Sequence, residues 1–549
     1  MRKINYKVIL FLVSFIFTGF FSSDSDIYFQ MSKAIDIFGK VYKEVTINYV
    51  DEVNPEAFML EGIKGMLSTL DPYTNYIDAT HQKDIDLITK GKYGGIGATV
   101  GLYNDNVTIV DLIEGYSAQR QGMRIGDIIL RVDSVEVNKL NYDNLGNLLK
   151  REPGTEISIT IFREGLKNNL IFNLVSEEIE IKNLTYYGFV PEESNNAYLK
   201  LSSFSRSAGE EIRKAIQELR LQKDIKSIIL DLRGNPGGLL DAAISVCEKF
   251  LPKDQIIVTI KGRNESNQQT YKSKEEPIAG KIRMAVLVDN GSASASEIVA
   301  GALQDHDRAV LIGTKSFGKG LVQTVVPLSF NSSIKLTTAR YFTPSGRCIQ
   351  EIDYSKNKEV LQGTKVTNFD SFLTDNKRQV FANGGISPDS IVINSSESYL
   401  IKILLAKGMF FKFAASYFNT KNVDFKINNS DEDIFNSFME YIKSQKFEYR
   451  TESEQLISEL KASIEREKYN SNLLEKVDNL LSQFEDVKKK ELIKFKDDII
   501  SEIKKEISAM TDGRKGRILE SLKKDEQFAT AYNVIRNENK YIDLLSSKN

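Results

Sequence analysis

Between Asp26 and Leu70 apolar residues fall at helical spacing, with Ile35, Phe38, Val41, Tyr42, Val45 and Tyr49 on one face. Asp71-Pro72 ends that stretch, since proline cannot continue a helix. After the glycine-dense segment Gly91–Gly101 the period changes to two. Short alternating strands are predicted at Val107-Ile109, Ile128-Leu130-Val132 and Ile157-Ile159-Ile161, with turns at Gly115, Gly126 and Pro153-Gly154. Beyond Glu178 the apolar runs become continuous. Strands are predicted at 197–204, 225–232 and 284–288, alternating with helices at 208–221, 241–251 and 294–303. Continuous apolar strands between helices are the mark of a parallel sheet buried on both faces, hence an α/β core. Strands return at 320–328 and 333–339.

From about residue 396 the chain is helical and charged. Tyr399–Phe418 is interrupted by Lys402, Lys407 and Lys412, the pattern of an amphipathic helix in a soluble domain. Leu473, Val477, Leu480, Phe484 and Val487 step by four and three over only about two heptads, where a coiled coil wants three or four. A helical bundle is predicted, with short coiled-coil pairing as the alternative. The fold class is therefore multidomain α/β (α+β): a helical segment at 24–82 packing on the core, a β-rich module at 83–177, an α/β core at 178–395, and a charged helical domain at 396–549.

Residues 1–23 are read as an address. Arg2, Lys3 and Lys7 precede an apolar run, Val8–Phe21, that is short of the roughly 20 residues a membrane span needs. This predicts an export signal and a periplasmic or cell-envelope location. Phe20 and Phe21 stand where cleavage wants small residues, so retention as an N-terminal anchor in the inner membrane is the alternative.

Composition narrows the function. Lys+Arg (73) and Asp+Glu (75) nearly balance over 549 residues, with none of the basic excess of a dedicated nucleic-acid binder. Two cysteines, Cys247 and Cys348, exclude a disulfide framework and a four-cysteine zinc site; one bond between them stays open. Cys247 reads as a small core residue. The two histidines, His81 and His306, leave little for a multi-histidine metal site or a histidine-based triad. Asp305-His306-Asp307 is read as a solvated polar loop. No metal or cofactor is implied.

Two regions carry chemistry. In Lys92-Tyr93-Gly94-Gly95-Ile96-Gly97-Ala98, glycines let successive N–H groups point into one concavity that suits an anion. An adjacent open strand edge then accepts a peptide by β-addition, its terminal carboxylate in the nest. With Gly126–Asp133 and Gly154 at suitable distances, the module at 83–177 resembles a PDZ domain, and Gly95, Ile96, Gly97 and Ala98 would form its carboxylate-binding loop. Gly115-Tyr116-Ser117-Ala118 departs from the Gly-Ser-Pro-Ala often found there.

The second region has three blocks: Asp231–Gly238 (DLRGNPGG), Asn290–Glu297 (NGSASASE) and Phe317–Gln323 (FGKGLVQ). Cleaving a peptide bond needs a nucleophile, a base and donors for the oxyanion. A small-residue turn at a helix start exposes serine hydroxyls and free N–H groups. With histidine scarce, lysine is the natural base, and its ordinary pKa of about 10.4 must then fall through burial. Lys319, between two glycines, is the candidate; on a strand it would share a face with Leu321 and Gln323. The blocks alone leave Ser292, Ser294 and Ser296 open as nucleophile, and Ser294–Glu297 fits a helix capping box equally well.

These blocks, in this order behind a PDZ-like module, resemble the carboxyl-terminal processing (tail-specific) proteases. Thr343-Pro344-Ser345-Gly346-Arg347 and Gly385-Ile386-Ser387-Pro388-Asp389 match later blocks of that family, and the likeness spans about residues 30–415. The resemblance implies Ser294 as nucleophile, Lys319 as general base and Gln323 as its orienting partner. It implies an oxyanion hole from the Ala295 N–H and an N–H of the Gly237-Gly238 turn. The implied protein is an exported serine endopeptidase acting through an acyl-enzyme on substrates with an apolar free C-terminus. Two alternatives differ in class: a catalytically silent PDZ scaffold that binds protein C-termini, and an α/β enzyme handling acyl thioesters. The helical C-terminal region is expected to serve self-association, an adaptor or the substrate path.

Overall fold

The computed structural model describes residues 24–78, 91–103, 105–164, 166–263, 268–354, 364–365, 370–382, 384–394, 398–420, 430–468 and 471–547. Residues 1–23, read above as an address, and His81 lie outside them. The chain divides into two compact units. The smaller holds the described residues up to 78 together with 323–337, Tyr354 and Thr364. Its helices are Asp24–Asn48 and Pro55–Leu67, the latter capped by Asn54, whose side chain accepts from the Ala57 N–H at 3.0 Å. Tyr42 stacks on Phe58, while Ile35, Phe38, Val41 and Tyr49 of the predicted apolar face are exposed.

The larger unit is built on a six-stranded sheet. Its strands are β1 (Leu184–Phe189), β2 (Asn196–Leu201), β3 (Ser227–Asp231), β4 (Arg283–Val288), β5 (Val310–Gly313) and β6 (Ser390–Ile391), side by side in chain order. β1 runs antiparallel to β2 and every later pair is parallel. The crossovers are helices α1 (Ala208–Gln222), α2 (Leu240–Glu248) and α3 (Ala295–Asp305). Sequential order with crossovers of one hand puts every crossover helix on the same face.

Side chains along a strand alternate between faces, so the other face must be covered too. Ile228, Leu230, Met284, Val286 and Leu311 pack with the crossover helices. Tyr198, Ile229, Ala285, Leu287, Val310 and Ile312 pack instead with Phe528, Ala531, Val534, Ile535 and Tyr541. These come from the end of the chain, where α4 (Lys496–Leu522) leads into α5 (Glu526–Arg536) and α6 (Glu538–Leu545). The sequence reading assigned this stretch to a helical domain of its own. Its last two helices are the second layer of the α/β core, invisible to periodicity because an amphipathic helix does not name the surface it covers. Cys247 is fully buried in the core as expected, and both cysteines are free.

The β-rich module is a sheet ordered Ala98–Tyr103, Asn106–Leu112, Ile128–Val132, Glu156–Phe162, Leu170–Val175. Val107, Ile109, Ile157, Ile159 and Ile161 face its core as predicted. The strand 128–132 differs: Ile129 and Val132 are buried, not Ile128, Leu130 and Val132, because a register shift between Ile129 and Arg131 breaks the alternation. The remaining C-terminal helices pack as a bundle around Phe410, Phe413, Phe438, Ile499 and Ile503. Along Ser471–Lys494, Val477 is buried but Leu473, Leu480 and Val487 are exposed. Phe411 stacks on Tyr103 of the β-rich module, and Arg514, just past a break in α4 at Asp512-Gly513, pairs with Asp111 at 2.5 Å.

If α5 is part of the core, Phe528→Ala should destabilise the whole larger unit by about 3–5 kcal/mol, as for other buried aromatics. Denaturant unfolding followed both by tyrosine fluorescence and by far-UV circular dichroism checks this: both midpoints should fall together.

Candidate active site

Strand β4 ends at Val288, and the chain turns through Asp289–Ala293 into α3. Ser294 sits at the junction with φ +56° and ψ −112°. A non-glycine residue held there costs on the order of 1–3 kcal/mol and persists only where its surroundings impose it. Asp289 braces the turn, its carboxylate accepting from the Gly291 and Gly234 N–H groups. Gly237, at φ +100°, lies directly against Ser294: a Cβ on it would fall 2.9 Å from the Ser294 Cβ and 2.7 Å from the Ala293 carbonyl. Only glycine fits. The Asn235 carbonyl accepts from the Ala293 N–H at 3.0 Å and the Ser296 hydroxyl at 2.8 Å, so the two turns are stitched together.

The Glu297 side chain organises the remainder. It is fully buried and takes four donors: the Ser294 N–H (2.8 Å) and Lys319 N–H (2.9 Å) on Oε2, the Ser316 hydroxyl (2.6 Å) and Gly318 N–H (2.7 Å) on Oε1. Burial pushes this carboxyl above its ordinary range, and the four donors oppose that rise. One carboxylate oxygen thus joins the backbone of Ser294 to that of Lys319. The capping box was legible in the sequence; that Glu297 also ties down the lysine loop 22 residues on was not.

Ser294 and Lys319 are both half-buried, Ala295 and Ser296 fully buried. Of the three candidate serines, Ser292 donates to the Leu232 carbonyl and Ser296 to the Asn235 carbonyl. The strand containing Gln323 begins only at Leu321, so Lys319 lies in the loop before it and the shared-face argument does not apply. Gln323 belongs to the smaller unit, where its amide donates to Thr337 Oγ1 at 3.4 Å. Of the two turn glycines, Gly237 already gives its N–H to Asn235 Oδ1 at 2.9 Å.

Asp231, completely buried, meets Arg233 twice (Nε 3.0 Å, Nη2 2.7 Å), the Tyr198 hydroxyl (2.6 Å) and Lys200 (3.1 Å). Burial raises its pKa, but Lys200 and Arg233 overcome this and hold it well below the usual carboxylate range.

Asp305-His306-Asp307 is not the solvated loop expected. Asp305 pairs with fully buried Arg347, Asp307 with Arg378 at 2.6 Å, and the His306 ring contacts Asp375 (2.8 Å) and the Ile256 carbonyl (2.7 Å). Arg378 also meets Asp389 at 2.6 Å. The sequence showed the acids but not their distant cations.

In the β-rich module, Gly95, Ile96, Gly97 and Ala98 lead into the edge strand. The Ile96 side chain is core, and the Ile96 and Gly97 carbonyls turn inward to the Ala118 (3.0 Å) and Ile113 (2.8 Å) N–H groups. Tyr116 packs its Cβ over Gly97, and Ser117 stands where proline was expected. Glu177 holds the turn instead, accepting from the Ser117 N–H at 2.9 Å and pairing with Arg120. The Tyr142 hydroxyl, on the helix flanking the edge, donates to the Val100 carbonyl at 3.3 Å.

Comparison with known proteins agrees with this layout. Residues 195–360 match Peptidase family S41, 94–174 a PDZ domain, and 400–535 the C-terminal helical domain of probable PDZ-proteases. The carboxy-terminal-processing protease of Bartonella bacilliformis is 37% identical over 334 residues, covering 60% of this chain and 75% of that protein. The carboxy-terminal processing protease CtpB of Bacillus subtilis is 32% identical, covering 59% and 67%. Among solved structures, the photosystem II D1 C-terminal processing protease matches at 25% identity with a TM-score of 0.36, over 64% of this chain and 85% of that one.

Glu297→Gln tests the hub. An amide offers one acceptor and two donors where four donors converge, so at least one backbone N–H is left unpaired. The variant should lose about 2 kcal/mol of stability in denaturant unfolding. It should also lose labelling of Ser294 by a fluorophosphonate probe, read by mass spectrometry.

Proposed function

The chain belongs to the carboxy-terminal processing proteases, and from that footing we propose that it is an exported serine endopeptidase using Ser294 and Lys319, selecting proteins by an apolar free C-terminus. The observation that carries this reading is the strained Ser294 at the start of α3, joined to the Lys319 loop through one oxygen of Glu297. Ser294 Oγ attacks the scissile carbonyl and its proton passes to Lys319 Nζ. The oxyanion forms at the helix N-terminus, where the Ala295 N–H is one donor. The Gly237 N–H is already taken by Asn235, which favours Gly238 for the second. Lys319 returns the proton to the departing amine, leaving an acyl-enzyme. It then takes a proton from water as the water oxygen attacks the ester, and passes that proton to Ser294 Oγ as the ester C–O bond breaks, releasing the acid product and restoring both groups. Gln323 is assigned the role of orienting the lysine amine.

The PDZ domain supplies selection. A substrate tail adds to the Ala98–Tyr103 edge, with its carboxylate at the N–H groups of Gly95, Ile96, Gly97 and Ala98. Holding the tail raises the local concentration of the scissile bond at Ser294. The leader at 1–23 is assigned export to the cell envelope. Among the described residues no helix is long and apolar enough to cross a membrane.

The test is an unstructured peptide ending in apolar residues, as free acid or amide, incubated with the full chain and followed by mass spectrometry. The free acid should be cut. Ser294→Ala and Lys319→Ala should each reduce kcat by about a thousandfold or more. Amidation should raise KM about tenfold, the loss of a carboxylate's charge-assisted hydrogen bonds. Cutting that survives Ser294→Ala refutes the nucleophile, and indifference to amidation refutes the tail reader alone.

Tyr142 competes with the tail for the Val100 carbonyl. Tyr142→Phe removes one neutral hydrogen bond of about 1 kcal/mol from the unliganded state, so the free-acid peptide should bind Ser294→Ala/Tyr142→Phe roughly fivefold more tightly than Ser294→Ala. Isothermal titration measures it.

A further inference from the structure

The Arg233 guanidinium is held from two sides. Nε and Nη2 form a fork on Asp231 of β3, while Nη1 reaches the opposite layer, to Asp525 Oδ2 at 2.6 Å and Gln527 Oε1 at 3.0 Å. Asp525 is the cap of α5, its other oxygen accepting from the Phe528 N–H at 3.0 Å. Gln527 is buried and its amide donates to the Val392 carbonyl at 2.8 Å. The Phe528 ring meets Tyr198 edge-on at 5.6 Å, so this corner of α5 is fixed against the sheet.

Arg233 opens the glycine turn that faces the nucleophile. Its carbonyl accepts from Lys200 at 2.8 Å, and the next N–H, Gly234, goes to Asp289, which braces the Ser294 turn. The chain then runs to Gly237, against Ser294. A buried arginine–aspartate pair left without its third partner would be free to pivot about Asp231 and take the start of the turn with it. An oxyanion hole tolerates little such movement, because its donors must stand where charge develops.

We propose that Asp525 and Gln527 are positioning residues for hydrolysis, acting through Arg233 to fix the Gly234–Gly238 turn opposite Ser294. The C-terminal helical region thereby completes the active site from behind the sheet. The inference rests on the serine-protease reading for its kinetic consequence, but its structural consequence stands apart from it.

The experiment uses the full chain carrying Asp525→Asn, Gln527→Leu, or both. Asparagine caps a helix as well as aspartate, so Asp525→Asn keeps α5 and removes the charge from Arg233. With the free-acid peptide, kcat should fall about tenfold, part of the hundred- to thousandfold that losing one oxyanion donor costs. KM should stay within about twofold, since tail binding is not involved. Asp525→Glu should recover most of the rate. Amide hydrogen exchange over Gly234–Gly238 should quicken in Asp525→Asn while the global unfolding midpoint barely moves. Unchanged kcat, or a lowered midpoint with normal turn exchange and normal kcat, overturns the proposal. A wild-type chain that neither cleaves nor labels would overturn the protease reading instead, and turn exchange would still decide this one: no change in Asp525→Asn sinks it.

Discussion

A carboxylate with four donors and no solvent is the constraint on which the site depends. Glu297 is buried at the first turn of α3 and accepts from Ser294, Ser316, Gly318 and Lys319. Burying a charge is tolerable only when its lone pairs are filled, so the lysine loop cannot drift without leaving that carboxylate underfilled. The same loop is anchored on its far side. Ser316 exchanges hydrogen bonds with Ile386, and the Gly320 N–H reaches Gln350. Blocks scattered over a hundred residues of sequence therefore converge because each supplies a partner the others lack.

The second constraint is topological. A sheet whose strands lie in chain order gathers its crossover helices on one face and leaves the other bare. Here α5 and α6 cover the bare face, and in doing so they bring Asp525 and Gln527 to Arg233. The helices that precede this cover also touch the PDZ domain, through Phe411 on Tyr103 and Arg514 on Asp111. The last two helices of the C-terminal region are thus part of the core, and the bundle before them is a neighbour of the PDZ domain.

Much of the core was legible because its signals are local. Apolar runs marked three of the five parallel strands, β2, β3 and β4, while the short β5 and β6 went unmarked. The glycine turns were legible as turns because nothing larger fits at Gly237. The loss of alternation at Ile129–Arg131 was not legible: a bulge inserts one residue into a pattern that reads as regular either way. Nor was the ion-pair latch around Asp305 and Asp307, whose cations, Arg347 and Arg378, lie 42 and 71 residues away in the chain.

By itself, the sequence determined many of the strands, helices and tight turns, and which residue types stand at their ends, since these follow from spacing and backbone sterics over a few residues. It also carried the ordered blocks that mark the family. Only the tertiary structure decided which acid answers which donor. Glu297 was a helix cap until the lysine loop was folded onto it, and Arg233 the end of a strand until α5 arrived behind it. Hydrogen bonds and ion pairs act over about 3 Å, and no periodicity in the chain records which distant residue will come that close.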